Sequence, residues 1–127
     1  MVYSFENLSH ADFEDLTRDL LGQEIGVRFE GFSAGPDGGL DGRHAAAGKL
    51  TILQAKHYAG SPFSALKTAM TKSRPCIDVL RPSRYILATS RALTPANKAS
   101  LAIEIGPWLQ SQADIFGPTE LNDLLRK

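Results

Sequence analysis

Two strand-like stretches, Leu40 to Ala46 and Lys49 to Lys56, lie either side of Ala47-Gly48, and no other feature of the chain restricts its fold as much. A two-residue turn between such runs specifies a β-hairpin and fixes the register of everything beyond it. With Ala47-Gly48 as the turn, Ala46 pairs with Lys49, and the pairing runs outward until Asp41 falls opposite Gln54. Side chains alternate between faces along a strand. Gln54 and Lys56 therefore share one face with Leu50 and Ile52, and the register places Asp41 on that face too.

The flanking segments supply layers for this hairpin. Ser9 with Asp12 resembles a capping box, and Phe13, Leu16 and Leu20 repeat at helical spacing, which predicts a first helix ended by Gly22. Ile25 to Phe32 alternates and is expected to be a strand; Ser33 to Gly39, with three glycines and a proline, is expected to be a loop. Ser61 as N-cap with Pro62 at the first helical position opens a second helix through Phe63, Leu66 and Met70, interrupted at Pro75. Tyr85 to Ser90 forms a buried strand. Thr94-Pro95 starts a third helix that ends near Gly106-Pro107, Ala113 to Phe116 is a last strand, and Pro118 to Arg126 a last helix. This order implies an α/β fold: a central mixed sheet of about five strands with helices on both faces.

Length and composition bound the rest. The 127 residues make one domain, 1–127, with 43% hydrophobic residues available for a core. The chain ends just after a helix, which suits a complete small protein or the N-terminal domain of a larger one. Lys plus Arg equals Asp plus Glu at 14 each. Proteins that grip nucleic acid unaided usually carry net positive charge, so this balance points to weak autonomous binding that needs a second copy or another domain. The single cysteine, Cys76, excludes an internal disulfide and is expected to be a small core residue. No zinc-ligand spacing, membrane-length apolar run or secretory signal is present, so a soluble cytoplasmic protein is expected.

Placing Gln54 and Lys56 in line with Leu50 and Ile52 is costly unless they have partners, and such breaches of local pattern accumulate at functional sites. A carboxylate and an amide oxygen suit Mg²⁺ or Mn²⁺, which favour hard oxygen ligands. A nearby ammonium can stabilise charge developing on a phosphoryl group. The competing view is a hairpin end where Gln54 and Lys56 reach solvent beside Asp41. Glu14, at the margin of the first helix's apolar face, leans over the sheet or forms a surface pair with Arg18; periodicity alone favours the surface pair.

Gly35-Pro-Asp37-Gly-Gly-Leu-Asp41-Gly, the hairpin, and Leu53-Gln54-Ala55-Lys56-His57-Tyr58 together resemble the Mrr-like branch of the PD-(D/E)XK restriction-endonuclease superfamily, in its Q-x-K variant. Phe13-Glu14 matches the family's helical glutamate, and Tyr85–Ser90 followed by Arg91 to Ala99 resembles its later strand–helix unit, so the likeness covers roughly Leu8 to Leu125. The resemblance implies a restriction-endonuclease-like core and a Mg²⁺- or Mn²⁺-dependent endonuclease acting on DNA in restriction or anti-phage defence. It implies Asp41 as main metal ligand, Gln54 as a second ligand through its carbonyl oxygen, Lys56 as catalytic lysine and Glu14 as an auxiliary acidic residue and metal ligand. A neutral Gln54 departs from the general acidic pattern and implies weak metal affinity.

Other residues carry two readings each. Asp37 is an accessory group or a turn former. His57 and Tyr58 contact the scissile phosphate or a base, or form a half-buried strand end. By register His44 faces away from Asp41 and is structural; His10 belongs to a helix cap. Trp108 is core or interface. The cations from Lys67 to Lys98 are scattered over a solvated surface. Two functions follow: hydrolysis of DNA, which on duplex needs two active sites and hence a homodimer or higher assembly, and a catalytically weak or inactive nucleic-acid-binding or oligomerisation module on the same fold.

Overall fold

A computed structural model describes residues 2–31 and 42–127. The hairpin has the expected register. Strand β1 (Gly42–Ala46) pairs antiparallel with β2 (Lys49–Lys56), from Ala46↔Lys49 out to Gly42↔Leu53. Ala47 and Gly48 both take positive φ, 54° and 74°, as a tight hairpin turn requires. Helix α2 (Phe63–Leu80) then returns the chain so that β3 (Arg84–Thr89) lies parallel to β2, and helix α3 (Pro95–Ile105) leads to the short parallel β4 (Ile115–Phe116). The sheet order is β1-β2-β3-β4. Helices α1 (His10–Ile25) and α4 (Pro118–Leu125) complete the fold.

The period-two alternation of β2 and β3 sorts the core into two layers. Ile52, Tyr85, Leu87 and Ile115 pack against Leu66, Met70 and Ile77 of α2 and Leu101 and Ile105 of α3. On the opposite face, Leu53, Ile86 and Ala88 meet Leu21, while Ala55 meets Phe13 and Leu121. The expected α/β architecture is present, with helices on both faces of a mixed sheet.

Several expectations are corrected. Among the described residues the sheet has four strands, not about five. The first helix does not stop at Gly22: Gly22 lies inside it because its bare Cα sits against Val27, whose carbonyl oxygen would be 2.8 Å from an added Cβ. Gly26, in the left-handed region at φ 81°, is the cap, and the N–H groups of Gly26 and Val27 both reach the Gly22 carbonyl. The helix thereby consumes Ile25, and of the expected 25–32 strand only a bridge between Glu30 and Arg43 forms; Phe32 lies outside the described residues. Pro75 does not interrupt α2, which runs through it to Leu80 with its buried stripe Leu66, Met70, Ser73 and Ile77 unbroken. Pro62, not Ser61, stands at the N-cap position of that helix. Gln112–Asp114 is a 3₁₀ turn, so the last strand begins at Ile115. Cys76 is exposed, since α2 turns it away from the Ser73–Ile77 stripe.

Candidate active site

The site is built at the C-terminal end of β2. Gln54 faces α2, as Ile52 does two residues earlier, and is only 1% exposed. Its amide is held at both ends. The Tyr85 hydroxyl donates to Oε1, and Nε2 donates to Ser73 Oγ at 3.4 Å. Ser73 in turn donates its hydroxyl proton to the Ala69 carbonyl, 3.0 Å away in α2. Burial at this depth requires such satisfaction of both ends.

Lys56 ends β2 and is half-buried. By strand alternation it shares the α2 face with Gln54 and Ile52. Its backbone is pinned from β3: its carbonyl accepts from Thr89 Oγ1 at 2.8 Å and from the Ser90 N–H at 3.3 Å. The chain then turns into His57 and Tyr58. Ser90 Oγ accepts from the Tyr58 N–H at 2.9 Å and bonds His57 Nδ1 at 2.8 Å. The His57 ring stacks on Phe13 with centroids 5.1 Å apart and meets the His10 ring edge-on at 5.2 Å. His10 is thus more than a capping neighbour; it closes one side of His57.

Glu14 arrives from another layer. It lies half-buried on α1, which packs on the face of β2 opposite α2, and it follows directly the Phe13 that stacks on His57. The Glu14–Arg18 pair does not form; Arg18 bonds Asp15 instead. The structure therefore brings Gln54 and Lys56 to one face and puts Glu14 on the helix covering the other. Asp41 and Asp37 lie outside the described residues. Asp41 is bonded to Gly42, which pairs with Leu53, the neighbour of Gln54. His44 turns to the Arg28 carbonyl at 3.3 Å and stays away from this cluster.

Sequence reasoning singled out neither Ser73 nor Tyr85 as a partner of Gln54. Ser73 carried a legible signal: it stands at helical spacing in the stripe Leu66, Met70, Ile77, where a hydroxyl needs a partner.

The donor chemistry fits a hard dication. Gln54 Oε1 spends one of its two lone pairs on Tyr85, leaving the other for an ion. Among the described residues no group of three His, Cys, Asp or Glu converges, so an ion here would rest on amide and carboxylate oxygen from separate elements. The restriction endonuclease model Mrr_cat matches residues 5–102, from the segment before α1 into α3, hairpin included. The chain belongs to this restriction endonuclease family. It is an Mrr-like member of the PD-(D/E)XK group, and a restriction-type nuclease domain by that membership. A curated relative, the uncharacterized protein y4cD of Sinorhizobium fredii (strain NBRC 101917 / NGR234), is 59% identical over 126 residues. That alignment takes in 99% of the chain but 20% of the relative, so the chain spans about one fifth of the relative's length. Among the described residues no helix is long and apolar enough to cross a membrane.

Proposed function

We propose that this chain is a divalent-metal-dependent endonuclease domain that hydrolyses DNA phosphodiester bonds, serving restriction or anti-phage defence. The observation that carries the proposal is the juxtaposition of Gln54 and Lys56 on one face at the end of a hairpin whose register leads directly back to Asp41. In this reading Asp41 and Gln54 hold Mg²⁺ or Mn²⁺ through oxygen, with Glu14 as an auxiliary carboxylate from α1. The bound cation supplies Lewis-acid stabilisation of the phosphoryl group. Lys56 places its ammonium where negative charge grows on that group, on a backbone that Thr89 and Ser90 hold still. His57 and Tyr58, fixed through Ser90, line the approach of the substrate backbone.

Equal numbers of acidic and basic residues supply little general attraction for DNA. The domain accordingly works as a dimer, a higher oligomer or one module of a longer polypeptide; the extent of the Sinorhizobium relative beyond the aligned region supports attached domains. The test is cleavage of plasmid and linear DNA with Mg²⁺ or Mn²⁺, run beside Lys56→Ala and Asp41→Ala. Metal-dependent cutting by the parent, lost in both variants, is expected. Cutting at parental rates by both variants would remove these residues from the site. DNA binding without cleavage under any metal would make the domain a binding or oligomerisation module instead.

A further inference from the structure

We infer that Ser73 is a positioning residue whose hydroxyl decides which end of the Gln54 amide, oxygen or nitrogen, is presented for metal binding. The inference rests on the proposed metal-dependent reading. An amide at the second ligand position carries a problem that a carboxylate does not. Its two ends are nearly identical in shape, but only the oxygen can ligate a cation. A half-turn of the Gln54 side chain would present NH₂ to the ion and abolish the ligand.

The hydrogen-bond directions around Gln54 prevent that half-turn. The Tyr85 hydroxyl cannot do so alone, because a phenol accepts from NH₂ as readily as it donates to a carbonyl oxygen. Ser73 is different. Its single proton is given to the Ala69 carbonyl at 3.0 Å, so only lone pairs face Gln54. The group opposite must therefore be a donor, and Nε2 takes that place at 3.4 Å. With nitrogen assigned to Ser73, oxygen falls to Tyr85, whose hydroxyl then donates to Oε1. The two partners come from different elements, α2 and β3.

The experiment is Mn²⁺ titration by calorimetry of the 127-residue chain and of Ser73→Ala, each in the parental and the Gln54→Glu background. Thermal unfolding is recorded alongside. Side-chain amide NMR of the Gln54 parent and its Ser73→Ala variant reads which partner lies nearest the Nε2 protons. Losing such a support of a metal ligand costs about 10–100-fold in affinity, and Ser73→Ala should weaken Mn²⁺ binding to that extent in the Gln54 protein. Its Nε2 protons should also lose their defined position beside residue 73. In the Gln54→Glu background both ends are oxygen, so Ser73→Ala should leave Mn²⁺ affinity unchanged. That difference separates orientation from a general structural role, which would act in both backgrounds. Ser73→Thr keeps the hydroxyl and should keep the parental affinity, which covers the case in which Ser73→Ala fails to fold. A parent that binds Mn²⁺ with Ser73→Ala equally tight, or weakened alike in both backgrounds, overturns this inference alone. A parent that binds no Mn²⁺ overturns the metal-dependent reading, and this inference with it.

Discussion

Two polar clusters are tied to β3, one residue apart, and they differ in how the acceptor is partnered. Arg84 meets Asp114 in a two-point pair, Nε to Oδ2 at 3.0 Å and Nη2 to Oδ1 at 2.8 Å. The hydrogen bond that Arg84 donates to Asp114 raises the affinity of Arg84 for its proton still further, and Asp114 itself is almost wholly buried. Each carboxylate oxygen accepts from one guanidinium N–H, and this charge pair locks the turn before β4 to the start of β3. Tyr85 begins the second cluster. There a neutral amide is held at both ends, yet its oxygen keeps an unspent lone pair. Burial of polar groups is common to both clusters and so does not distinguish a site from a strut. The partner of the acceptor does: Asp114 carries a charge already paired with a fixed cation, whereas Gln54 Oε1 accepts from a neutral phenol.

Three substitutions sharpen the contrast. The largest effect is expected at Lys56, the residue that shares the Gln54 face. Lys56→Ala should lower DNA cleavage by about 10²–10³-fold, roughly 3–4 kcal/mol of transition-state stabilisation, as loss of a preorganised electrostatic group does. Its unfolding midpoint should move less than its rate falls, because the hydrogen bonds from Thr89 and Ser90 end on the Lys56 backbone carbonyl and survive the substitution. Single-turnover cleavage beside a thermal melt reads both, and a large drop in melting temperature with modest loss of rate would make Lys56 structural.

Asp114→Ala should show the reverse. It strands Arg84, which is still one-third exposed and can recover some hydration, so the cost is about 1–3 kcal/mol rather than the full penalty of a dry pair. Urea unfolding measures it. Mn²⁺ affinity should stay at the parental level, and a concurrent loss of metal binding would show that the two clusters are coupled through β3.

The boundary between what the sequence reveals and what it hides follows the same line. The Ala47-Gly48 turn fixed the hairpin register because two residues at positive φ allow one pairing, and the shared face of Gln54 and Lys56 follows from alternation along β2 alone. The Thr94-Pro95 start of α3 was equally legible, since Thr94 and Asn97 satisfy each other's backbone N–H groups locally. Partners from distant segments were not. Ser73 and Tyr85 lie 19 and 31 positions from Gln54, and nothing local in β2 says which helix will cover it. The end of α1 was missed for a related reason: whether Gly22 caps a helix or admits Val27 against it depends on packing after the helix has ended. Glu14 shows the limit from the other side, because periodicity put it at the margin of α1 and only the layer order says which face of the sheet that helix covers.

Gln54→Leu tests the strut-or-site distinction directly. The change keeps the side chain's bulk and removes both hydrogen bonds. Ser73 still has the Ala69 carbonyl to donate to, but the buried Tyr85 hydroxyl loses its acceptor on Gln54, so the expected cost in stability is about 1–3 kcal/mol, no larger than that of Asp114→Ala. Mn²⁺ binding should nevertheless be lost. A stability loss exceeding that of Asp114→Ala would make the Gln54 cluster a strut like the other.

The smallest effect is expected at a third polar cluster, this one facing solvent. Asp78 accepts from Arg74 Nε at 2.7 Å and from Trp108 Nε1 at 2.7 Å, joining α2 to the turn after α3. The Arg74 hydrogen bond, and after it the Trp108 one, hold the Asp78 carboxyl below its ordinary value. The folded protein therefore gives up this proton more readily than the unfolded chain does. The tie contributes its stability above the ordinary carboxylate range and loses it as pH falls through the depressed folded value. Trp108 is the chain's single tryptophan, so its fluorescence isolates the event. Acid titration should shift the Trp108 emission below the ordinary carboxylate range, and Asp78→Asn should abolish the shift. A transition at or above that range, or one that survives in Asp78→Asn, would assign the titration to another group. Because water surrounds this cluster, its loss should leave Mn²⁺ binding and the unfolding midpoint at near-neutral pH almost unchanged.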